Sequence, residues 1–110
     1  SKMDRLDKTL QRIDKFNLDR DWNQFHSPEN LSKSISIEAA ELLECFQWDE
    51  NNYDLEAVKE ELADVMNYCL QMALVLKLDP IEIINKKIDK NEKKYPVEKA
   101  KGVSTKYNKL

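Results

Sequence analysis

Four carboxylates in the chain are spaced as two matched pairs, Glu38 with Glu41 and Glu61 with Asp64. A separation of three residues puts both members of a pair on one surface of a helix. Both pairs also break into apolar stripes. Glu38 falls between Leu31 and Ile35 on one side and Leu42 and Phe46 on the other, and Glu61 and Asp64 share a stripe with Ala57, Tyr68, Met72 and Val75. An unpaired carboxylate on such a face is costly, and four that converge repel until some take up protons. These faces carry no matching set of lysines or arginines. A divalent cation removes the conflict: Mg²⁺ or Mn²⁺ takes oxygen ligands, and Mg²⁺ commonly bridges carboxylates to phosphate oxygens. The chemistry to expect is therefore metal-assisted handling of a phosphorylated substrate. A single acidic pair at this spacing is ordinary on a solvated helix, whereas two pairs set in apolar stripes are not. Glu44 and Glu60 point outward by the same helical count and read as solvated. A di-iron site would need a histidine three residues after a glutamate on two helices. The only histidine, His26, precedes the second helix and reads as a structural brace for it.

Four helical segments can position these residues. The first covers about 3–18, with Met3, Leu6, Leu10, Ile13 and Phe16 or Asn17 at three- and four-residue steps. Ser27 and Pro28 form an N-cap and first-position pair, so a second helix runs from there to about Phe46. The polar stretch 48–54 is a loop, and Asp54 caps a third helix over about 55–77. That helix has two apolar stripes, one of them Leu55, Val58, Leu62, Met66, Cys69, Ala73 and Leu76. Two apolar faces on one helix of so small a chain imply that a partner subunit covers one. Asp79 and Pro80 open a fourth helix, with Ile81, Ile84 and Ile88 expected inward, and Tyr95-Pro96 closes it. The tail 97–110 has no strong period.

Composition agrees with an all-α class. The 110 residues include one glycine, three prolines and 35% charged residues, which suits helices better than a turn-rich β fold. One domain over 1–110 is expected. A net charge of −3 argues against a nucleic-acid polymer as partner, although the chain turns basic from Lys86 onward. Cys45 and Cys69 fall in helical apolar runs and read as buried free thiols. The longest charge-free run, 65–76, is too short to span a bilayer, so a soluble cytoplasmic protein without membrane attachment is the expectation.

The E-x-x-E of 38–41 and the E-x-x-D of 61–64 resemble the signature of the MazG-like all-α nucleoside triphosphate pyrophosphohydrolases. RDWNQFHSPENL (20–31), ECFQWDE (44–50), EELADVMNY (60–68), KIDKNEKKYP (87–96) and STKYNKL (104–110) appear in order and resemble the dCTP pyrophosphatase branch. The resemblance implies a four-helix bundle that assembles as a dimer or a dimer of dimers. It also implies Mg²⁺-dependent cleavage of a nucleoside triphosphate between its α- and β-phosphates, giving monophosphate and pyrophosphate. Glu38, Glu41, Glu61 and Asp64 would be the metal ligands, with Glu41 the candidate to orient or deprotonate the attacking water. Trp22 and Trp48 would offer flat faces to a base, Tyr68 would sit beside the metal, and Lys87, Asn91 and Tyr95 would reach phosphate and sugar. Each of these has a plain structural reading too: packing for the aromatics and an exposed face for the Lys87, Asn91 and Tyr95 stripe of the fourth helix.

One departure stands out. Ile13 occupies the position where that branch has a histidine near the base, and isoleucine offers no hydrogen bond. Two rival readings remain: a non-catalytic helical dimerisation module with a cation-binding acidic cluster, or the same superfamily acting on dUTP or a phosphoribosyl nucleotide.

Overall fold

The structure, a computed structural model, describes residues 4–104 and 107–109. Met3, expected in the first helix, and residues 105, 106 and 110 of the tail block lie outside the described residues. Among the described residues the regular elements are all helical: α1 (Arg5–Asp19), α2 (Pro28–Glu44), α3 (Leu55–Val75), α4 (Pro80–Lys94) and α5 (Val97–Ala100), with short 3₁₀ turns at Asn23–Phe25 and Tyr107–Lys109. The one-turn α5 lies in the stretch where no period was legible. Helices at this level of propensity need defined starts, and side-chain caps supply them for α1 to α4. Asp4 accepts from the Asp7 N–H, Ser27 from Asn30, Asp54 from Glu56 and Ala57, and Asp79 from Ile81 and Glu82. Pro28 and Pro80 then occupy the first helical position, where no N–H is needed.

With a single glycine in the chain, two helices end on other residues in the left-handed region. Asp21 (φ 53°) follows α1 and Lys77 (φ 57°) follows α3. In each case a paired reverse bond closes the end: Trp22 N–H to Asn17 C=O and Asp21 N–H to Leu18 C=O after α1, Leu78 to Ala73 and Lys77 to Leu74 after α3. The first of these turns folds Trp22 back over the end of its own helix.

The chain divides into two compact units, residues 1–78 and 79–110. In the first, α3 packs against both α2 and α1. The 45–54 connection is closed by the Phe46 and Tyr53 rings, whose centroids lie 4.8 Å apart. Among the described residues the buried apolar ones are Leu31 on α2 and Ala73 on α3, accompanied by buried Asn17 and Gln71. The two stripes of α3 fare differently. Ala57, Glu61, Tyr68 and Met72 are partly buried, whereas Leu55, Leu62, Met66 and Cys69 are exposed. Cys69 therefore departs from the expectation of a buried thiol; Cys45 is half-buried, and both are free. In the second unit, α4 carries the basic residues Lys93 and Lys94 in its last turn, favourable against the helix dipole. Ile81, Ile84 and Ile88, expected to point inward, are exposed in the single chain (50, 53 and 46%). The periodicity that marks them as one face is real, but the second unit does not cover that face by itself. No helix among the described residues is long and apolar enough to cross a membrane.

Asp54 caps the helix that carries Glu61 and Asp64. Asp54→Ala should lower the unfolding free energy by about 1 kcal/mol, the usual worth of such a cap, read from the urea midpoint. A change below a few tenths would mean that the cap does not hold the start of α3.

Candidate metal centre and adjoining cavity

Glu38 lies two turns beyond the buried Leu31 on α2, so the packing of that stripe carries its carboxyl group toward α3. Glu61 and Asp64 approach from α3. One carboxylate oxygen from each of Glu38, Glu61 and Asp64 lies within 4.8 Å of the others. Glu41, one turn after Glu38, is exposed but close enough for its carboxyl group to hydrogen-bond those of both Glu38 and Glu61. Three of the four residues picked out by spacing thus meet at one point, and Glu41 lies near enough to act on Glu38 and Glu61 but outside that group. Glu44 and Glu60 are exposed, as their helical positions suggest.

This proximity has an electrostatic cost. The hydrogen-bonded Glu41 carboxyl, burial, and the charges of Glu41, Asp64 and Glu61 together push the pKa of Glu38 from 4.5 up to about 7. Burial, then Glu41, Asp64 and Glu60, push Glu61 in the same direction. The Oε2 atoms of Glu38 and Glu61 are both buried with no hydrogen-bond partner. A buried acceptor without a donor is rare in a settled structure and calls for a proton or a cation. The donor set is entirely carboxylate oxygen, brought from two helices, and the ion pairs Lys15–Asp19, Lys33–Glu29, Lys59–Glu56 and Lys86–Glu82 leave it untouched. Its residues fit a hard divalent cation.

Beside the carboxylates lies a cavity of about 500 Å³, a volume within the usual range of small-molecule sites. Asp64 belongs to both the carboxylate cluster and the cavity wall. Tyr68, one turn further along α3, lines the cavity, as do Trp22 and Ile13. Trp22 is held by the turn after α1 and by an edge-on contact with Phe16, centroid to centroid 5.7 Å. The guanidinium of Arg20 stands 3.6 Å from the Phe16 ring centre and braces that pair.

The remaining candidates are placed differently. Trp48 is 88% exposed in the 45–54 connection and does not line this cavity. Lys87 and Asn91 are exposed on α4, and Tyr95 forms its C-terminal cap position, all in the second unit. His26, expected to brace α2, lines the cavity and a smaller one of about 310 Å³ beside it, and the cap of α2 comes from Ser27. Sequence reasoning passed over Arg12, Asn67 and Gln71 as lining residues. The available signal was Asn67 and Gln71, two amides one turn apart inside the charge-free run 65–76.

An all-helical chain that brings an E-x-x-E pair against an E-x-x-D pair beside a small-molecule cavity is of the kind built to hold a cation next to a ligand. Residues 33–110 match the MazG-like family, and the chain belongs to that family. It is 35% identical over 104 residues to mouse dCTP pyrophosphatase 1, and 35% identical over 105 residues to the human protein of that name. Both alignments cover 86% of this chain, which spans 61% of the length of each relative. A crystal structure of a pyrophosphatase from Archaeoglobus fulgidus superposes with a TM-score of 0.80 at 39% identity, covering 87% of this chain and 96% of that one. The resemblance read from the ordered sequence blocks is borne out.

The raised pKa of Glu38 fixes the direction of a pH effect. The folded chain holds a proton that the unfolded chain releases above pH 4.5, so the stability this group contributes is full below 4.5 and is lost as pH rises through about 7. Without metal, the melting temperature should fall between pH 5 and pH 8, and excess Mg²⁺ should restore it at pH 8. Glu38→Gln should flatten both responses. An unaltered pH profile in that variant would remove Glu38 from the cluster's electrostatics.

Proposed function

We propose that the chain hydrolyses a pyrimidine nucleoside triphosphate, dCTP or a modified dCTP, between its α- and β-phosphates to the monophosphate and pyrophosphate. The observation that carries the reading is Asp64, which belongs at once to a carboxylate cluster suited to a cation and to a cavity walled by Trp22 and Tyr68. A triphosphate seated at the cluster would have its base beside that cavity. The pyrophosphatases similar to this chain, two of them named for dCTP, support the same reaction class.

Glu38, Glu41, Glu61 and Asp64 would hold Mg²⁺ or Mn²⁺, which when bound offsets triphosphate charge and makes water a better nucleophile. Glu41 is the most exposed toward solvent of the pair on α2 and is the candidate to take the proton from the attacking water. The aromatic face of Trp22 would stack on the base and Tyr68 would close the side of the cavity nearest the carboxylates. The parts of Trp48 in base contact, and of Lys87, Asn91 and Tyr95 in phosphate and sugar contact, rest on the resemblance alone. A single domain over 1–110 and action in the cytoplasm are proposed from length, composition and cysteine usage.

A homo-oligomer built on a dimer follows from the uncovered faces. Leu55, Leu62 and Met66 on α3 are 55, 42 and 52% exposed, a row of large apolar side chains that water does not favour. A second copy of the chain is the proposed cover. The melting temperature should then rise with protein concentration, as it must when unfolding is coupled to dissociation. A concentration-independent value together with a monomer mass in sedimentation would refute the dimer.

The activity is tested by resolving products from each dNTP and NTP with and without Mg²⁺. Monophosphate plus pyrophosphate, only with the cation, is the expected result, and Glu41→Gln should lower turnover at least ~100-fold if it handles the proton. A folded protein that turns over no nucleotide would favour the non-catalytic dimerisation module instead.

A further inference from the structure

The cavity beside Asp64 is mostly apolar, lined by Ile13, Phe16, Met66 and Leu70 among others, yet it contains a chain of three carboxamides. Asn17 on α1 donates through Nδ2 to Gln71 Oε1 on α3 at 3.2 Å, and Gln71 Nε2 donates to Asn67 Oδ1 at 3.1 Å. Asn17 and Gln71 are 4% and 7% exposed, while Asn67 is exposed. Two amides buried in a domain with so small an apolar core are not a filler. Apolar side chains of the same size would pack there without needing partners.

A carboxamide carries an acceptor and a donor side by side. Joined head to tail, the three leave a carbonyl oxygen at the Asn17 end and an NH₂ at the Asn67 end. If all three amides turn over together, both internal hydrogen bonds survive with donor and acceptor exchanged, and the ends reverse: NH₂ at Asn17, carbonyl at Asn67. The relay therefore has two polarities, each of which keeps both internal hydrogen bonds. Cytosine presents an NH₂ next to a ring-nitrogen acceptor. Uracil presents a carbonyl next to a ring N–H. At the exposed end, Asn67 offers an NH₂ in one polarity, which complements the 4-carbonyl of uracil, and a carbonyl in the other, which complements the 4-amino group of cytosine.

We propose that the Asn17–Gln71–Asn67 relay reads the hydrogen-bonding edge of a pyrimidine base in this cavity, and that by reversing it accepts both cytosine and uracil. The assignment rests on the nucleotide reading above. It makes the relay, rather than Ile13, the specificity-determining element, and it makes the substrate class 4-amino- and 4-oxo-pyrimidine nucleotides.

The test compares dCTP, dUTP and the 2-pyrimidinone deoxynucleoside triphosphate, which keeps the ring but has no group at position 4. Wild type should prefer dCTP and dUTP over this analogue by about tenfold in kcat/KM, the worth of one hydrogen bond that is otherwise left unmade. The preference between dCTP and dUTP should stay within about tenfold. In Asn17→Leu/Gln71→Met, which replaces both buried partners by apolar groups of similar shape, the preference over the analogue should fall toward one. Asn67→Ala, at the exposed end, should reduce it without disturbing the buried pair, and circular dichroism checks that both variants fold. A preference unchanged in both variants would overturn the relay while leaving the enzyme reading intact. Discrimination between dCTP and dUTP beyond ~100-fold would overturn the reversal, since such a ratio marks a site with fixed polarity. Should wild type turn over no nucleotide, the enzyme reading fails, and calorimetry with dCMP and dUMP decides the relay separately. Binding of both that weakens in the double variant supports it, and no binding of either overturns it.

Discussion

The convergence of like charges between α2 and α3 is the constraint around which the first unit is built. Apolar burial at Leu31, Ala73 and their partly buried neighbours draws the two helices together, and that packing carries Glu38 toward Glu61 and Asp64. Hydrophobic contact is thus spent against electrostatic repulsion. The evidence of the conflict is local: two buried carboxylate oxygens without donors, and pKa values pushed upward by burial and by each other. A structural ion-pair network would place lysines or arginines among these groups, and the described ion pairs all lie elsewhere, on exposed surface at helical i, i+3 or i, i+4 spacing. Such pairs contribute little to stability. The repulsion is held in place by packing and left for something outside the chain to relieve.

The second consequence is a thin core. Leu31 and Ala73 are the buried apolar residues described, while large apolar side chains on α3 and α4 remain open. A domain of this size ordinarily hides far more of its apolar surface. Helix ends in turn have to be specified locally, and they are: Asp or Ser caps at four starts, and two reverse-bonded turns at ends where glycine is absent. The turn after α1 serves the site directly, because the bond from Trp22 to the Asn17 carbonyl fixes an aromatic wall next to a buried amide.

How far this was legible in the sequence differs from residue to residue, for physical reasons. Helix starts were plain because Ser27-Pro28, Asp54 and Asp79-Pro80 act through bonds to the next three residues. The carboxylate neighbours were plain because a charge in an apolar stripe is anomalous at any spacing that fills one face. Cys69, Ile81, Ile84 and Ile88 were misjudged because periodicity identifies a face but not what covers it. Trp48 is exposed in the 45–54 connection, and the conformation of that loop is something no local sequence pattern encodes. Asn67 and Gln71 carried a signal like that of Glu38, polar groups inside an apolar run, but an uncharged amide announces less than a carboxylate does.

That comparison bears on Ile13. Taken by itself, an isoleucine at this place in the cavity wall removes a hydrogen-bonding group and suggests a site that has lost its means of reading a base. Asn17 lies one turn further along the same helix and lines the same cavity, and it is bonded to Gln71 across from α1 to α3. On the proposed relay, the polar function is relocated along α1 rather than lost. It also changes in kind, because it is shared between two helices. A hydrogen bond that links α1 to α3 ties the geometry of the cavity floor to the packing that assembles the carboxylates, since α3 carries Asp64, Asn67 and Gln71 within two turns. Any shift of α3 relative to α1 would disturb the relay and the acidic cluster together, so the two ends of a nucleotide would be registered by one rigid helix.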